Sequence, residues 1–241
     1  MTTQIFLAID TTDVTVASAQ AAATKEAVGG IKLGLEFFAA NGPGGVRTVA
    51  PGGAVPLFLD LKLHDIPNTV AGAVRAVVPL RPALLTVHAG GGGAMLRAAA
   101  DAAGEAAAKG GIGRPRIIGV TVLTSLAEQD MDAIGQQGPI ADQARRLAAL
   151  ARRCGLDGVV CSPHEIEPLR AECGADFLLV VPGIRPAWAA AGDQKRVMTP
   201  AEAAQRGADY LVIGRPITAA PDPAVAARRI AAEIVAAAPA A

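Results

Sequence analysis

Residues 57–70 read LFLDLKLHDIPNTV and place charged side chains inside an otherwise apolar run. Residues two apart in a β-strand lie on the same face, so Asp60 and Lys62 are predicted to point the same way. Asp65 follows three residues later. A lone charge buried there would cost on the order of several kcal/mol unless it were paired. The segment is therefore either a buried structural salt bridge or a set of charges that carries out a reaction.

The overall composition argues against several classes of protein. The chain has 241 residues, of which 22 are basic, 22 are acidic and 51% are hydrophobic. This balance gives neither the basic surface of a nucleic-acid-binding protein nor the charged patch of a membrane-surface protein. The three cysteines lack metal-site spacing, which favours reduced thiols over disulfides or zinc. We therefore expect a cytoplasmic enzyme without a nucleic-acid partner.

Two further features bear on location. The first ten residues, MTTQIFLAID, lack the basic and apolar regions of a signal peptide. No apolar run reaches the roughly 18 residues that a transmembrane helix requires. The sequence therefore predicts no association with a membrane.

Short runs rich in Ile, Val and Leu alternate with segments of helical spacing. The predicted strands are 5–10, 30–34, 56–61, 84–89, 116–123, 158–162, 177–183 and 210–215. The predicted helices are 13–28, 67–78, 94–109, 140–154, 163–173, 200–206 and 224–237. The Gly- and Pro-rich segments 41–56 and 110–115 are interpreted as connections. Eight such units predict an α/β fold, a (β/α)8 TIM barrel forming one domain over residues 1–241, with a doubly wound sheet as the alternative.

Active sites of TIM barrels lie at the carboxyl ends of the strands. Polar or charged residues stand at or just beyond most of the predicted strand ends: Asp10, Lys32, Asp60, Lys62, His88, Thr124, Arg185 and Arg215. The predicted fold therefore brings these side chains to one face of the barrel.

Several motifs together resemble bacterial orotidine 5′-phosphate decarboxylases: FLDLKLHDIPNTV (58–70), VTVLTS (120–125), PGIRP (182–186), GDQKRVMTP (192–200) and VIGRPIT (212–218). The D-x-K-x-x-D pattern alone is shared with related phosphosugar barrels, whereas the longer string with IPNT and the two phosphate-end segments are more specific. The resemblance extends over essentially the whole chain. It implies conversion of orotidine 5′-monophosphate to UMP in pyrimidine synthesis, with no metal or organic cofactor, by a homodimer with shared active sites.

The resemblance also implies roles for individual residues. Lys62 is the catalytic lysine, within an alternating charge array formed by Lys32, Asp60, Lys62 and Asp65, the last donated by the other subunit. The substrate contacts that it implies are Asp10, Lys32, Asp60 and the other subunit's Thr69 near the ribose and reacting group, Thr124 and Ser125 at the pyrimidine, and Arg185, Gln194, Gly214 and Arg215 at the phosphate.

Elementary chemistry supports the same reading of Lys62. Decarboxylation without a cofactor leaves an electron pair on a ring carbon, which preorganised charge must stabilise. A lysine ammonium supplies a compact positive charge and a proton, and flanking carboxylates favour its charged form. Lys32 has a second interpretation, as a simple anchor for Asp60. The long segment 184–198 is interpreted as a lid.

Two other functions remain open at the level of sequence. One is a metal-dependent phosphosugar decarboxylase, which would share D-x-K-x-x-D but would need carboxylate ligands for magnesium. The other is a non-catalytic nucleotide-binding barrel, against which the intact Lys62 and its two aspartates argue.

Overall fold

A computed structural model describes residues 3–136, 138–189 and 198–237. Eight parallel strands form a closed barrel in chain order, with the last strand paired to the first. The strands are β1 Gln4–Ile9, β2 Gly30–Gly34, β3 Leu57–Leu63, β4 Leu84–His88, β5 Arg116–Val120, β6 Gly158–Val160, β7 Leu178–Pro182 and β8 Tyr210–Ile213. The predicted TIM barrel is confirmed, and closure of the sheet rules out the doubly wound alternative.

Helices follow the strands and surround the barrel. They are α1 Val14–Thr24, α2 Leu35–Val49, α3 Pro67–Val77, α4 Gly92–Gly110, α5 Glu128–Ala133, α6 Ile140–Arg153, α7 Ile166–Cys173, α8 Pro200–Gln205, α9 Arg215–Thr218 and α10 Pro223–Ala237. Short 3₁₀ turns occupy Pro51–Gly53, Val78–Leu80, Ala89–Gly91 and Pro163–Glu165. Within the described ranges, no helix combines the length and the apolar character needed to cross a bilayer.

Burial on both faces explains why the strands are almost continuously apolar. Alternate residues such as Phe6, Phe58 and Leu84 fill the barrel interior. Their neighbours Leu59 and Leu85 face the helices. The rings of Phe6 and Phe58 meet edge to face, with centroids 5.8 Å apart. This packed interior lies directly below the polar residues at the carboxyl ends of the strands.

The interpretation of residues 41–56 as a connection is wrong for its first part. Helix α2 continues to Val49, although Gly42 interrupts it with φ 58° and ψ −163°. Glycine accepts this left-handed φ, and Pro43 then starts a second helical piece, where its missing N–H costs little. Val46 and Val49 are buried, so packing holds that piece in place. The Gly and Pro residues of the segment are typical of a connection, so its composition did not indicate a helix.

Several other elements also differ from prediction, and α2 itself was not among the predicted helices. Helices α5 and α9 were not predicted, since they have only six and four residues. The predicted eighth strand extended to Arg215, whereas β8 ends at Ile213 and Arg215 begins α9. The connection at 110–115 is confirmed except that Gly110 still belongs to α4.

Strand β3 is irregular at its carboxyl end. Leu59 pairs with Leu85 and Leu63 pairs with Val87, so four steps of β3 span two steps of β4. Lys62 lies within this bulge and has a φ of 49°, which is uncommon for a residue other than glycine. The bulge places the lysine at the mouth of the barrel.

Candidate active site

A cavity of about 290 Å³ opens at the carboxyl ends of the strands. Apolar side chains from the barrel interior, including Phe58, Val160 and Val212, line its lower part. The predicted site residues that also line it are Asp10, Lys32, Asp60, Lys62, Thr124, Arg185, Gly214 and Arg215. Residues from distant parts of the sequence thus converge where the barrel architecture predicts.

Asp60 lies at the centre of a chain of alternating charges. Its Oδ2 is 2.8 Å from Lys62 Nζ and 3.6 Å from Lys32 Nζ. Lys32 Nζ is also 3.7 Å from Asp10 Oδ1. The side chains of Lys32 and Asp60 are only 11% and 12% exposed, so bulk water screens their interaction weakly. The predicted common orientation of Asp60 and Lys62 is confirmed by their contact.

Thr86 on β4 also contacts both Asp60 and Lys62, although it was not among the predicted site residues. Its hydroxyl accepts a hydrogen bond from the Lys62 backbone N–H at 2.9 Å. The same hydroxyl donates to Asp60 Oδ1 at 3.0 Å. The side chain is fully buried. Strand alternation gives the signal that could have found it, because Leu84 two residues earlier points into the barrel.

Three predicted residues do not line the cavity formed by this chain. Asp65 is exposed, and its Oδ1 accepts a hydrogen bond from the Ile66 N–H at 2.6 Å. Thr69 is exposed in the first turn of α3. Ser125 is exposed beside Thr124, which does line the cavity. The positions of Asp65 and Thr69 are compatible with the expectation that they serve another subunit.

Two arginines follow the last two strands. Arg185 is 6% exposed, and Arg215 is the first residue of α9. Between Arg215 and β8, a Cβ on Gly214 would lie 3.3 Å from Ala8 Cβ and 3.4 Å from Asp10 Oδ2. Glycine therefore keeps the backbone close to both neighbours. Gln194, also predicted to contact phosphate, lies outside the described residues.

The segment after β7 contacts Met198 near its start, and its Trp188 contacts helix α10. Ile184 forms a parallel bridge with Met198, and the Arg185 N–H donates to the Met198 carbonyl at 3.0 Å. Trp188 Nε1 donates to Glu233 Oε1 on α10 at 2.7 Å. The Arg229 guanidinium lies 4.4 Å from the centre of the indole ring. These contacts fix the residues around Arg185, while the central part of the predicted lid, 190–197, lies outside the described residues.

Two histidines flank the charge centre on the side of β4. The rings of His64 and His88 stack with centroids 5.0 Å apart. His88 Nδ1 accepts a hydrogen bond from the Gly90 N–H at 3.2 Å. Burial, and then electrostatic interaction with His64 and Lys62, lower the pKa of His88 below its ordinary value. The lowered pKa favours the unprotonated Nδ1 that the hydrogen bond from Gly90 requires.

A metal ion is held in a protein by a group of several His, Cys, Asp or Glu side chains. Over 3–136, 138–189 and 198–237, no three His, Cys, Asp or Glu side chains form a group suited to hold one.

Comparison with known proteins agrees with this geometry. The family model described as orotidine 5′-phosphate decarboxylase / HUMPS family matches residues 3–230. The chain belongs to this family.

Individual members of the family align along nearly the whole chain. The orotidine 5′-phosphate decarboxylase of Rhodospirillum rubrum is 63% identical over 231 residues, which cover 96% of this chain and 94% of that protein. The enzyme of the same name from Paramagnetospirillum magneticum is 58% identical over 234 residues, covering 97% and 99%. The crystal structure of the Lactobacillus acidophilus orotidine 5′-phosphate decarboxylase superposes with a TM-score of 0.84 at 35% identity, covering 97% and 99%.

Proposed function

We propose that this protein removes CO2 from orotidine 5′-monophosphate and produces UMP, a step of pyrimidine synthesis. The observation that carries the proposal is the charge chain Asp10–Lys32–Asp60–Lys62, which lies in a cavity that two arginines also line. The similarity to the named decarboxylases along nearly the whole chain supports the same reaction. No cofactor enters the proposed reaction.

Lys62 is the residue that carries the chemistry. When the bond between C6 of the pyrimidine and the carboxylate breaks, CO2 leaves and the electron pair stays on C6. The Lys62 ammonium stabilises this negative charge and then donates a proton to C6. Asp60, 2.8 Å from Lys62 Nζ, orients the ammonium before the reaction starts. Preorganised charge of this kind lowers the barrier because little reorganisation is needed in the transition state.

In the proposed complex, Asp60 lies beside the carboxylate of the substrate. Repulsion between two carboxylates would destabilise the bound substrate, but this effect is contested as a source of catalysis. We assign the main effect to stabilisation of the developing carbanion by Lys62. Lys32 Nζ lies within 4 Å of both Asp10 and Asp60, and in the proposed complex these three side chains contact the ribose and the reacting group.

The remaining contacts divide between the two ends of the nucleotide. Thr124 and Ser125 serve the pyrimidine, and the position of Thr124 in the cavity lining favours it as the direct contact. Arg185, Gly214 and Arg215 serve the phosphate, together with Gln194. A guanidinium forms paired hydrogen bonds with phosphate oxygens, and a glycine lets the backbone approach them.

The active enzyme is proposed to be a homodimer with shared sites. Asp65 and Thr69 are exposed at the start of α3, beside Ile66, which is 67% exposed. In the proposed two-fold dimer, this surface is covered and both polar residues reach the site of the other subunit. Asp65 then completes the charge array, and Thr69 contacts the ribose.

Mixing of subunits tests the shared sites. Inactive Lys62→Ala and Asp65→Ala proteins are mixed under conditions that exchange subunits. Half of the dimers are then mixed, and one of their two sites has both intact residues, so about a quarter of normal activity should return. Failure to regain activity after verified exchange would place Asp65 in the site of its own chain.

A turnover assay tests the function itself. Loss of orotidine 5′-monophosphate is followed by ultraviolet absorbance, with and without a chelator. We expect equal rates in both conditions. Activity that the chelator abolishes would favour a metal-dependent decarboxylase, and nucleotide binding without turnover would favour a non-catalytic barrel.

A further inference from the structure

We propose that Thr86 is a positioning residue, whose hydroxyl fixes both the Asp60 carboxylate and the backbone of Lys62. The inference rests on the proposed function, because it takes Lys62 as the proton donor. Thr86 lies on β4 and does not line the cavity, so its effect on the reaction passes through its two partners.

The direction of each hydrogen bond follows from the groups involved. The Lys62 N–H can only donate, so Thr86 Oγ1 is the acceptor of that bond, at 2.9 Å. The single hydroxyl proton of Thr86 is then directed to Asp60 Oδ1, 3.0 Å away, since an ionised carboxylate can only accept. Thr86 is fully buried, so water does not compete for these bonds.

These bonds close a ring through the catalytic lysine. The backbone of Lys62 donates to Thr86, Thr86 donates to Asp60, and Asp60 Oδ2 accepts from Lys62 Nζ at 2.8 Å. The Thr86 hydroxyl thereby holds the backbone end of the lysine, and the Asp60 carboxylate holds its ammonium end. Thr86 fixes one oxygen of that carboxylate, which stops rotation and leaves the other oxygen directed toward the ammonium.

The bulge in β3 explains why a side chain is needed here. Lys62 adopts a φ of 49° where the pairing of β3 with β4 shifts between Leu59 and Leu63. An uncommon backbone conformation persists only when its surroundings hold it. The Thr86 hydroxyl supplies part of that support by accepting the Lys62 N–H. Removing it frees the backbone and the carboxylate together.

The test compares four proteins: wild type, Thr86→Val, Thr86→Ser and Thr121→Val. Valine has nearly the shape of threonine but lacks the hydroxyl, whereas serine keeps it. Thr121 provides a matched control, because its buried hydroxyl donates to the Val160 carbonyl at 2.9 Å and it does not line the cavity. For each protein, kcat and KM for orotidine 5′-monophosphate, affinity for UMP and the thermal midpoint are measured.

We expect Thr86→Val to lower kcat by about tenfold to a hundredfold, because a misplaced catalytic group costs this much. KM and UMP affinity should stay within about threefold, since the ribose and phosphate contacts are unchanged. Thr86→Ser should recover most of kcat. Thr121→Val should keep kcat within about twofold of wild type, even if both valine variants lose similar thermal stability.

A purely structural role predicts a different result. If kcat of Thr86→Val equals that of wild type, or falls no further than that of Thr121→Val, the inference is overturned. It is also overturned if serine fails to restore kcat. Should Thr86→Val not fold, Thr86→Cys replaces it, because a thiol is a weak donor and acceptor. Wild-type kcat in the cysteine variant would then contradict the inference.

The same measurements separate this inference from the proposed function. A wild-type protein that does not turn over orotidine 5′-monophosphate refutes the proposed function, and the inference falls with it. A wild-type protein that is active while Thr86→Val is equally active refutes the inference alone.

Discussion

Both ends of the barrel contain buried or half-buried ion pairs, but the pairs are built differently. At the amino end, Asp157 and Asp209 precede β6 and β8. Each accepts a backbone N–H from the strand beside it, Ile117 on β5 at 2.7 Å and Leu179 on β7 at 2.8 Å. Each also pairs with a guanidinium, from Arg114 and Arg170. These carboxylates therefore tie strand to strand.

At the carboxyl end, Asp60 is contacted by side chains that themselves belong to the site. Its partners are Lys62, Lys32 and the Thr86 hydroxyl. Each ammonium carries three N–H donors, more than one Asp60 oxygen can accept. In the proposed function the charges at this end also meet a ligand, whereas those at the amino end are engaged by the protein. We therefore expect mutations at the carboxyl end to affect catalysis or binding, and mutations at the amino end to affect stability.

Lys62→Ala should give the largest effect and act only on catalysis. We expect kcat to fall by at least about a thousandfold, since removal of a preorganised donor alone typically costs a hundredfold to a thousandfold and the proton donor is lost as well. UMP binding should persist, because the phosphate contacts lie elsewhere. Turnover and UMP affinity are measured, with the exposed Lys25→Ala as the matched control. Near-normal turnover in Lys62→Ala would contradict the assignment of the catalytic lysine.

Arg170→Met, at the amino end, should lower stability and leave kcat almost unchanged. Arg170 pairs with Asp209 and also donates to the carbonyls of Gly174, Phe177 and Gly207. Its removal leaves a largely buried carboxylate without its cation. We expect the free energy of unfolding to fall by roughly 2–4 kcal/mol, somewhat less than for a fully buried pair.

Urea denaturation measures this loss. When kcat is measured at urea concentrations well below the unfolding transition, it should stay close to the wild-type value. The control is Arg75→Met, because Arg75 and Glu105 form an exposed pair 3.7 Å apart that should contribute at most about 1 kcal/mol. If Arg170→Met and Arg75→Met lose equal stability, the ion pair at the amino end does not tie the strands together.

Arg215→Ala should weaken phosphate binding at the carboxyl end. Loss of a charge-assisted hydrogen bond typically costs about 1.5–3 kcal/mol, which should appear as reduced affinity for UMP. Catalysis should fall as well, since binding energy from the phosphate helps to orient the reacting ring. Calorimetry with UMP and with uridine provides the measurement. An equal loss of affinity for both ligands would show that Arg215 does not act on the phosphate.

His88→Asn should give the smallest effect, visible only in the pH dependence of stability. Burial lowers the pKa of folded His88 below 6.5, so the unfolded chain binds more protons as the pH falls below that value. Stability from this residue is therefore present at neutral pH and is lost progressively on acidification. Asparagine keeps an acceptor for the Gly90 N–H but does not titrate. Urea midpoints from pH 7 to pH 5 should fall less steeply in the variant, and identical slopes would contradict this prediction.

Much of the fold and most of the site could be predicted from local patterns. The period of two in LFLDLKL placed Asp60 and Lys62 on one face, and their ion pair confirms it. Alternating strands and helices led to the barrel, and the barrel rule led to Lys32, Arg185 and Arg215, which line the cavity. Such patterns are readable because strand and helix periods act over a few neighbouring residues.

The sequence by itself determined which residue types end the strands, and through the family motifs it determined the expected chemistry. Only the tertiary structure decided how those residues are held. Thr86 lies 24 residues from Lys62 and 26 from Asp60 along the chain, and Arg170 lies 39 residues from Asp209. Pairings of this kind have no local period. They exist because closing the barrel brings distant strands within hydrogen-bonding distance, where buried polar groups must find partners.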